Sequence, residues 1–225
     1  MMNNNVKWWE KFSPTIMEAE VPQKFIDIIN NTGDEVLKDD GLSKKFDFSD
    51  NLVGKVHKEV TIPVPNDYKG YCLSILRQGC VRYLRQMIEL GRAYEWTKKS
   101  GGNQNPSEEN INLSQSWIVS QYKHEYNPIH THSGNFSGVI YLKLPDDMEN
   151  HFNEETKDHY PASGLIEFSH GEKQDFKSDT LMFKPTVGQM LVFPNWLKHS
   201  VYPFYCEGER RSMSFNAYWK HNDNN

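Results

Sequence analysis

Gly188-Gln189-Met190-Leu191-Val192-Phe193-Pro194-Asn195-Trp196-Leu197-Lys198-His199 opens on a turn residue, enters an apolar run, stops at a proline and delivers a histidine at the far end. Comparable runs occupy residues 116–122, 138–144, 164–168, 190–193 and 212–219, each rich in β-branched or aromatic residues and bounded by Gly, Pro, Asn or Asp. Short strands in such numbers suit a sandwich or barrel. The C-terminal half therefore reads as mainly β.

The N-terminal half reads as helical. Pro22 followed by Phe25, Ile28 and Ile29 gives a helix-start proline and an apolar stripe ending around Asn31-Thr32-Gly33. A longer stripe runs through Leu73, Leu76, Cys80, Leu84, Met87 and Tyr94. Residues 98–112, rich in turn formers, mark the change to strand-like sequence. The expected organisation is one domain of α+β class: residues 1–112 a helical lead-in packed on the core, 113–220 the β core, and 221–225 a tail. The acidic stretch 146–161 reads as an insertion over one rim, in the position of a lid.

A chain of 225 residues buries a core without disulfides. Its net charge of -5 and pI of 6.0 argue against a duplex nucleic acid partner. Cys72, Cys80 and Cys206 match no zinc or disulfide framework, which points to a reducing, cytoplasmic setting. No run resembles a signal peptide or a membrane span. Trp8 and Trp9 suit an interface or a fold-back equally, so the oligomeric state stays open.

His130-Thr131-His132 places two imidazoles on the same side of a strand. Imidazole ligates iron, zinc, copper and nickel alike, so the pair alone does not choose a metal. His199 adds a third donor, and after ten intervening residues Arg210-Arg211-Ser212 begins another strand. Period-two alternation puts Arg210 with Ser212, Ser214 and Asn216 on one face and Arg211 with Met213 on the other. A guanidinium with a hydroxyl two residues on can clamp a carboxylate, so Arg210 is favoured over Arg211. Both arginines as solvated strand charges is the plainer alternative.

With these residues in view, the stretch from Trp117 to Trp219 resembles the double-stranded β-helix (jelly-roll, cupin-like) dioxygenases that use Fe(II) and 2-oxoglutarate. It is most similar to small oxygenases of marine bacteria and their phages. The resemblance rests on 130–134, 137–142, 188–201 and 209–216. The apolar stripes of the N-terminal half, which carries none of these blocks, are expected to pack its helices on one sheet of that core. The resemblance implies iron ligation by His130 and His199, and a co-substrate carboxylate held by Arg210, Ser212 and Tyr141. Tyr122 is a further pocket candidate. The family places Asp or Glu where this chain has His132, so His132 is both a candidate third ligand and a departure. Asn127, His124 and Glu125 are possible substitutes, but none has the same-face spacing from His130.

The implied activity couples decarboxylation of 2-oxoglutarate with O2 to oxidation, as a hydroxylase, of a small-molecule or peptidyl substrate. Phe136, Phe193 and Trp196 are candidates for its apolar wall. Two alternatives use the same residues differently. A three-histidine cupin-type enzyme needs no Arg210 clamp, and a non-catalytic β-sandwich interaction protein needs no metal. The phage resemblance leaves a virus-infected host cell open as the setting.

Overall fold

A computed structural model describes residues 14–51, 53–151 and 162–220. In chain order the strands are β1 (Met17–Glu20), β2 (Lys58–Thr61), β3 (Ile111–Gln121), β4 (Asn127–His130), β5 (Phe136–Lys143), β6 (Ile166–Ser169), β7 (Thr180–Phe183), β8 (Gln189–Pro194), β9 (Lys198–Val201) and β10 (Arg210–Trp219). The helices are α1 (Gln23–Lys38), α2 (Asp40–Lys45), α3 (Asn66–Glu89) and α4 (Tyr94–Lys99).

Two antiparallel sheets face each other. The larger has the order β1-β8-β5-β10-β3-β2 and the smaller β4-β9-β6-β7. From β3 onward the chain crosses repeatedly between them, so strands far apart in sequence become neighbours: the double-stranded β-helix. The N-terminal half supplies edge strands as well as helices. β1 extends the large sheet beyond β8, and β2 extends it beyond β3.

Alternation along the strands sorts two cores. Met190 and Val192 of β8, Ile140 and Leu142 of β5, and Met213, Phe215 and Ala217 of β10 face the helices, where they meet Phe25, Ile29, Leu76, Cys80 and Leu84. Leu191, Phe193, Val139 and Tyr141 point the other way, into the space between the sheets, with Ile166, Phe168 and Leu197. β8 is buried on both faces, which is why its sequence reads as an unbroken apolar run.

Several sequence readings shift. α1 does not end at Gly33 but continues to Lys38. Gly33 lies where α1 approaches the sheet, since a Cβ there would stand 2.5 Å from Ile118 Cδ1. The need for close packing, not a stop, explains the glycine. Tyr94 does not continue the α3 stripe; it begins the separate helix α4 and is exposed. The rim segment 152–161, Trp8, Trp9 and the tail 221–225 lie outside the described residues.

Candidate functional site

β4 and β9 pair antiparallel with His130 opposite His199, so strand register brings together residues distant in the chain. β4 stops at His130, so His132 follows in irregular backbone rather than on the strand. It is fixed instead by Asn195 in the turn between β8 and β9. The His132 N–H donates to the Asn195 carbonyl at 2.9 Å, and Asn195 Nδ2 donates to the His132 carbonyl at 3.1 Å.

One ligand nitrogen from each of His130, His132 and His199 lies within 4.8 Å of the others. The Nε2 atoms of His132 and His199 are 3.1 Å apart. Two ligands at right angles, each about 2.1 Å from one ion, are about 3 Å apart. Carbonyl oxygens only accept hydrogen bonds, and they settle the tautomers of two rings. His130 Nδ1 donates to the Pro128 carbonyl at 2.7 Å and His199 Nδ1 to the Leu197 carbonyl at 3.0 Å. Each Nε2 then keeps its lone pair for a metal, the arrangement typical of metal-bound histidine.

Burial lowers all three imidazole pKa values. His132 is brought to about 4 by burial and then by neighbouring His130, and His199 to about 3 by burial with the other two rings adding to it. His130 is lowered by burial against the opposing bond to Pro128. All three are neutral near pH 7, the form that ligates. Among the described residues this is the one cluster of possible ligands found. Asn127 is held by Gln121 and Val53, His124 packs on Tyr205, and Glu125 accepts backbone N–H groups of His57 and Tyr122. None of the three substitutes joins the histidines.

The rings face a cavity of about 150 Å³ between the sheets. At its inner end Arg210 is 2% exposed. Its Nη1 donates to Gln121 Oε1, the residue opposite it on β3, and its Cζ stands 5.2 Å from the Tyr141 ring centre. Arg210 Nε and the Tyr141 hydroxyl are buried without a hydrogen-bond partner, and no ion pair to Arg210 occurs among the described residues. A buried cation and a buried hydroxyl left open toward one cavity are costly unless an anion completes them. Ser212 faces the same space, with Tyr141 opposite it on β5. This donor set fits a small carboxylate.

Arg211 turns to the other face. Its Nε and Nη2 donate to Glu209, and Nη2 also donates to Asp34 of α1 at 2.7 Å. Burial alone would raise the Glu209 pKa, but the bonds from Arg211, Ser120 and Lys143 outweigh it and hold the carboxyl low. Both arginines are buried, so neither is a solvated strand charge. One is internally satisfied and the other is not.

Other candidates fall elsewhere. Tyr122 lies just past the end of β3, and alternation gives the cavity to Gln121; Tyr122 is 41% exposed with its ring against His57. Phe136 packs into the helix-facing core against Tyr83. Trp196 is 51% exposed beside His170. Phe193 does line the cavity, its ring centre 4.9 Å from that of His199. Gln121, Asn127 and Glu59 also line it. Nothing in the local sequence marks Gln121 or Glu59; only the pairing of β3 with β10 and β2 puts them there.

A double-stranded β-helix in which three histidines converge beside an open buried arginine fits a metal-dependent enzyme of the jelly-roll oxygenase class. Residues 115–216 match the family model described as "Putative 2OG-Fe(II) oxygenase". The match covers a little under half of the chain, and the family's description names Fe(II) and 2-oxoglutarate as its metal and co-substrate. The structure is similar to that of AviO1 from Streptomyces viridochromogenes Tue57, at 13% identity and a TM-score of 0.55, over 92% of this chain and 90% of that one. It is also similar to a prolyl hydroxylase from Trichoplax adhaerens in complex with a hypoxia inducible factor oxygen degradation domain peptide fragment. There the identity is 13% and the TM-score 0.50, over 89% of this chain and 81% of that one. These likenesses show the shared fold. No curated protein matches the chain.

Proposed function

We propose that His130, His132 and His199 hold Fe(II), that Arg210, Ser212 and Tyr141 hold the distal carboxylate of 2-oxoglutarate, and that the protein hydroxylates a small-molecule or peptidyl substrate. The observation that carries this reading is the opening of two incomplete donor sets onto one cavity: three neutral imidazoles and a buried guanidinium without a counterion. Bound together, Fe(II) and 2-oxoglutarate supply an oxidant from O2, with succinate and CO2 as by-products.

The protein's part is positioning and shielding. The carbonyls of Pro128 and Leu197 hold the His130 and His199 rings with Nε2 turned toward the cavity. Gln121 orients the Arg210 fork, and Arg210 attracts a dicarboxylate to the inner end. Val139, Ile166, Phe193 and Val201 give that space apolar walls that exclude water. A third imidazole in place of a carboxylate leaves the centre one unit more positive, which strengthens its pull on an anionic co-substrate.

The cysteines are unpaired, which supports a reducing, cytoplasmic setting, and no helix among the described residues is long and apolar enough to cross a membrane. Purified protein with Fe(II) is expected to convert 2-oxoglutarate to succinate, slowly in the absence of prime substrate, and His199→Ala is expected to stop it. Stoichiometric iron without 2-oxoglutarate binding would instead select a three-histidine enzyme that does not use this co-substrate.

A further inference from the structure

Across the large sheet, strand register aligns Tyr141 of β5, Ser212 of β10, Val119 of β3 and Glu59 of β2 in one row. All four side chains line the cavity. With strands about 4.8 Å apart, Glu59 lies about 10 Å along the row from Ser212, at the end away from Tyr141. β2 belongs to the N-terminal half, outside the segment that the oxygenase family model matches.

Glu59 is 6% exposed, and among the described residues only burial and the acidic Asp47 and Glu125 act on its carboxyl, with no hydrogen bond or cation found for it. Other buried charges are answered within the protein, as Glu209 is by Arg211 and Lys143, or stand open to the co-substrate, as Arg210 does. The charged groups acting on Glu59 are both acidic. Asp47 accepts hydrogen bonds from Ser49, and Glu125 is occupied by the N–H groups of His57 and Tyr122. The adjacent Lys58 points to the opposite face, where it bonds Leu37 and Ser43 and pairs with Asp40. Burial first, and then Asp47 and Glu125, push the Glu59 pKa up to about 7. The cavity is therefore polarised, with an uncompensated cation at one end and an uncompensated acid at the other.

We propose that Glu59 is a prime-substrate contact, and that it receives a protonated amine or guanidinium group, so the substrate is a cationic compound or a basic side chain. The proposal rests on the oxygenase reading of the same cavity and adds the substrate's chemistry to it. A cation entering here completes the carboxylate and is kept from the inner end by Arg210. A dicarboxylate is repelled by the outer end and drawn to the inner one. Charge alone thus sorts the two ligands.

The test uses full-length protein loaded with Mn(II) and 2-oxoglutarate, with n-butylammonium and n-butylguanidinium as probes and pentanamide as a neutral probe of similar size. Paramagnetic broadening of the probe protons, referenced to Zn(II)-loaded protein, reports occupancy beside the metal. A charge-assisted bond predicts broadening of the cations at least about tenfold stronger than that of pentanamide. Glu59→Gln is expected to erase the preference, and Glu59→Asp, which keeps the charge, to retain it in weaker form. Equal broadening of charged and neutral probes, broadening of neither, or a preference that survives Glu59→Gln overturns the proposal. Free lysine compared with acetyl-Gly-Lys-Gly-amide then separates a free amine from a peptidyl source. A separate titration of 2-oxoglutarate into wild-type Fe(II) protein judges the oxygenase reading, whose failure leaves the charge preference measurable.

Discussion

Two adjacent arginines on one strand are predicted to behave in opposite ways. Arg211→Met leaves Glu209, 7% exposed, without its principal partner and releases Asp34 of α1. Removing one member of a buried ion pair costs about 3–5 kcal/mol, a large part of a domain's total stability of about 5–15 kcal/mol. Arg210→Met deletes a guanidinium that has Gln121 and no anion, at a loss of about 1 kcal/mol for the single hydrogen bond, offset by relief of the buried charge. The metal-free stability of Arg210→Met is therefore expected within about 1 kcal/mol of wild type. Its co-substrate affinity is not, since truncating one side of a buried, hydrogen-bonded charge pair costs about 2–5 kcal/mol, or about 30-fold to several thousand-fold in Kd. Urea denaturation of the metal-free variants and anaerobic calorimetric titration of 2-oxoglutarate into the Fe(II) proteins measure both quantities. Equal destabilisation by the two substitutions, with Arg210→Met still binding 2-oxoglutarate normally, would refute the division of roles.

Acid should destabilise the metal-free protein through its histidines. His132 and His199 titrate near 4 and 3 when folded against 6.5 unfolded, so below pH 6.5 the unfolded chain takes up protons that the folded one refuses. Stability from this source is complete above pH 6.5 and is lost as pH falls toward 3, the His132 part by about 4; saturating Zn(II), by binding the neutral rings, should shift the loss to lower pH, and an unchanged acid limb would contradict it. Glu59 works in the other direction, because its pKa of about 7 exceeds the unfolded 4.5 and stability declines as pH rises between those values, by up to about 3 kcal/mol. The gain in stability of Glu59→Gln over wild type should therefore be small at pH 4.5 and reach roughly 2–3 kcal/mol at pH 8, whereas a gain independent of pH would show that Glu59 is not desolvated. Gly138→Ala should destabilise by about 1–3 kcal/mol or more, since its Cβ would strike the Phe215 ring and stand 2.9 Å from the Leu191 carbonyl oxygen; wild-type stability in thermal melts would deny that close packing.

What the sequence discloses follows from local chemistry. β8 could be read because a strand buried on both faces must be apolar throughout, and β10 because Arg210, Ser212 and Ser214 alternate with Met213 and Phe215. β1 and β2 were missed. Each is four residues long and half-polar, and takes its strand form from pairing with β8 and β3 rather than from propensity. The same limit hides Glu59 and Gln121, since cross-strand register, not neighbouring residues, turns them toward the cavity. Tyr122 went wrong by one position, where a single step past Gln121 reverses the face. The three histidines were visible as types, but the carbonyls that orient two of them are backbone groups that every sequence contains.

One cavity is proposed to hold iron through His130, His132 and His199 and 2-oxoglutarate through Arg210. Anaerobic titration of 2-oxoglutarate into protein carrying one equivalent of Fe(II), followed by the metal-to-ligand charge-transfer absorption, tests it most directly. The wild-type protein is expected to give a saturable band at one co-substrate per iron, absent in His199→Ala for want of metal and absent in Arg210→Met at the same co-substrate concentration with the iron retained. A wild-type protein that binds iron but shows no band, or a band of full intensity and affinity in Arg210→Met, would contradict that assignment.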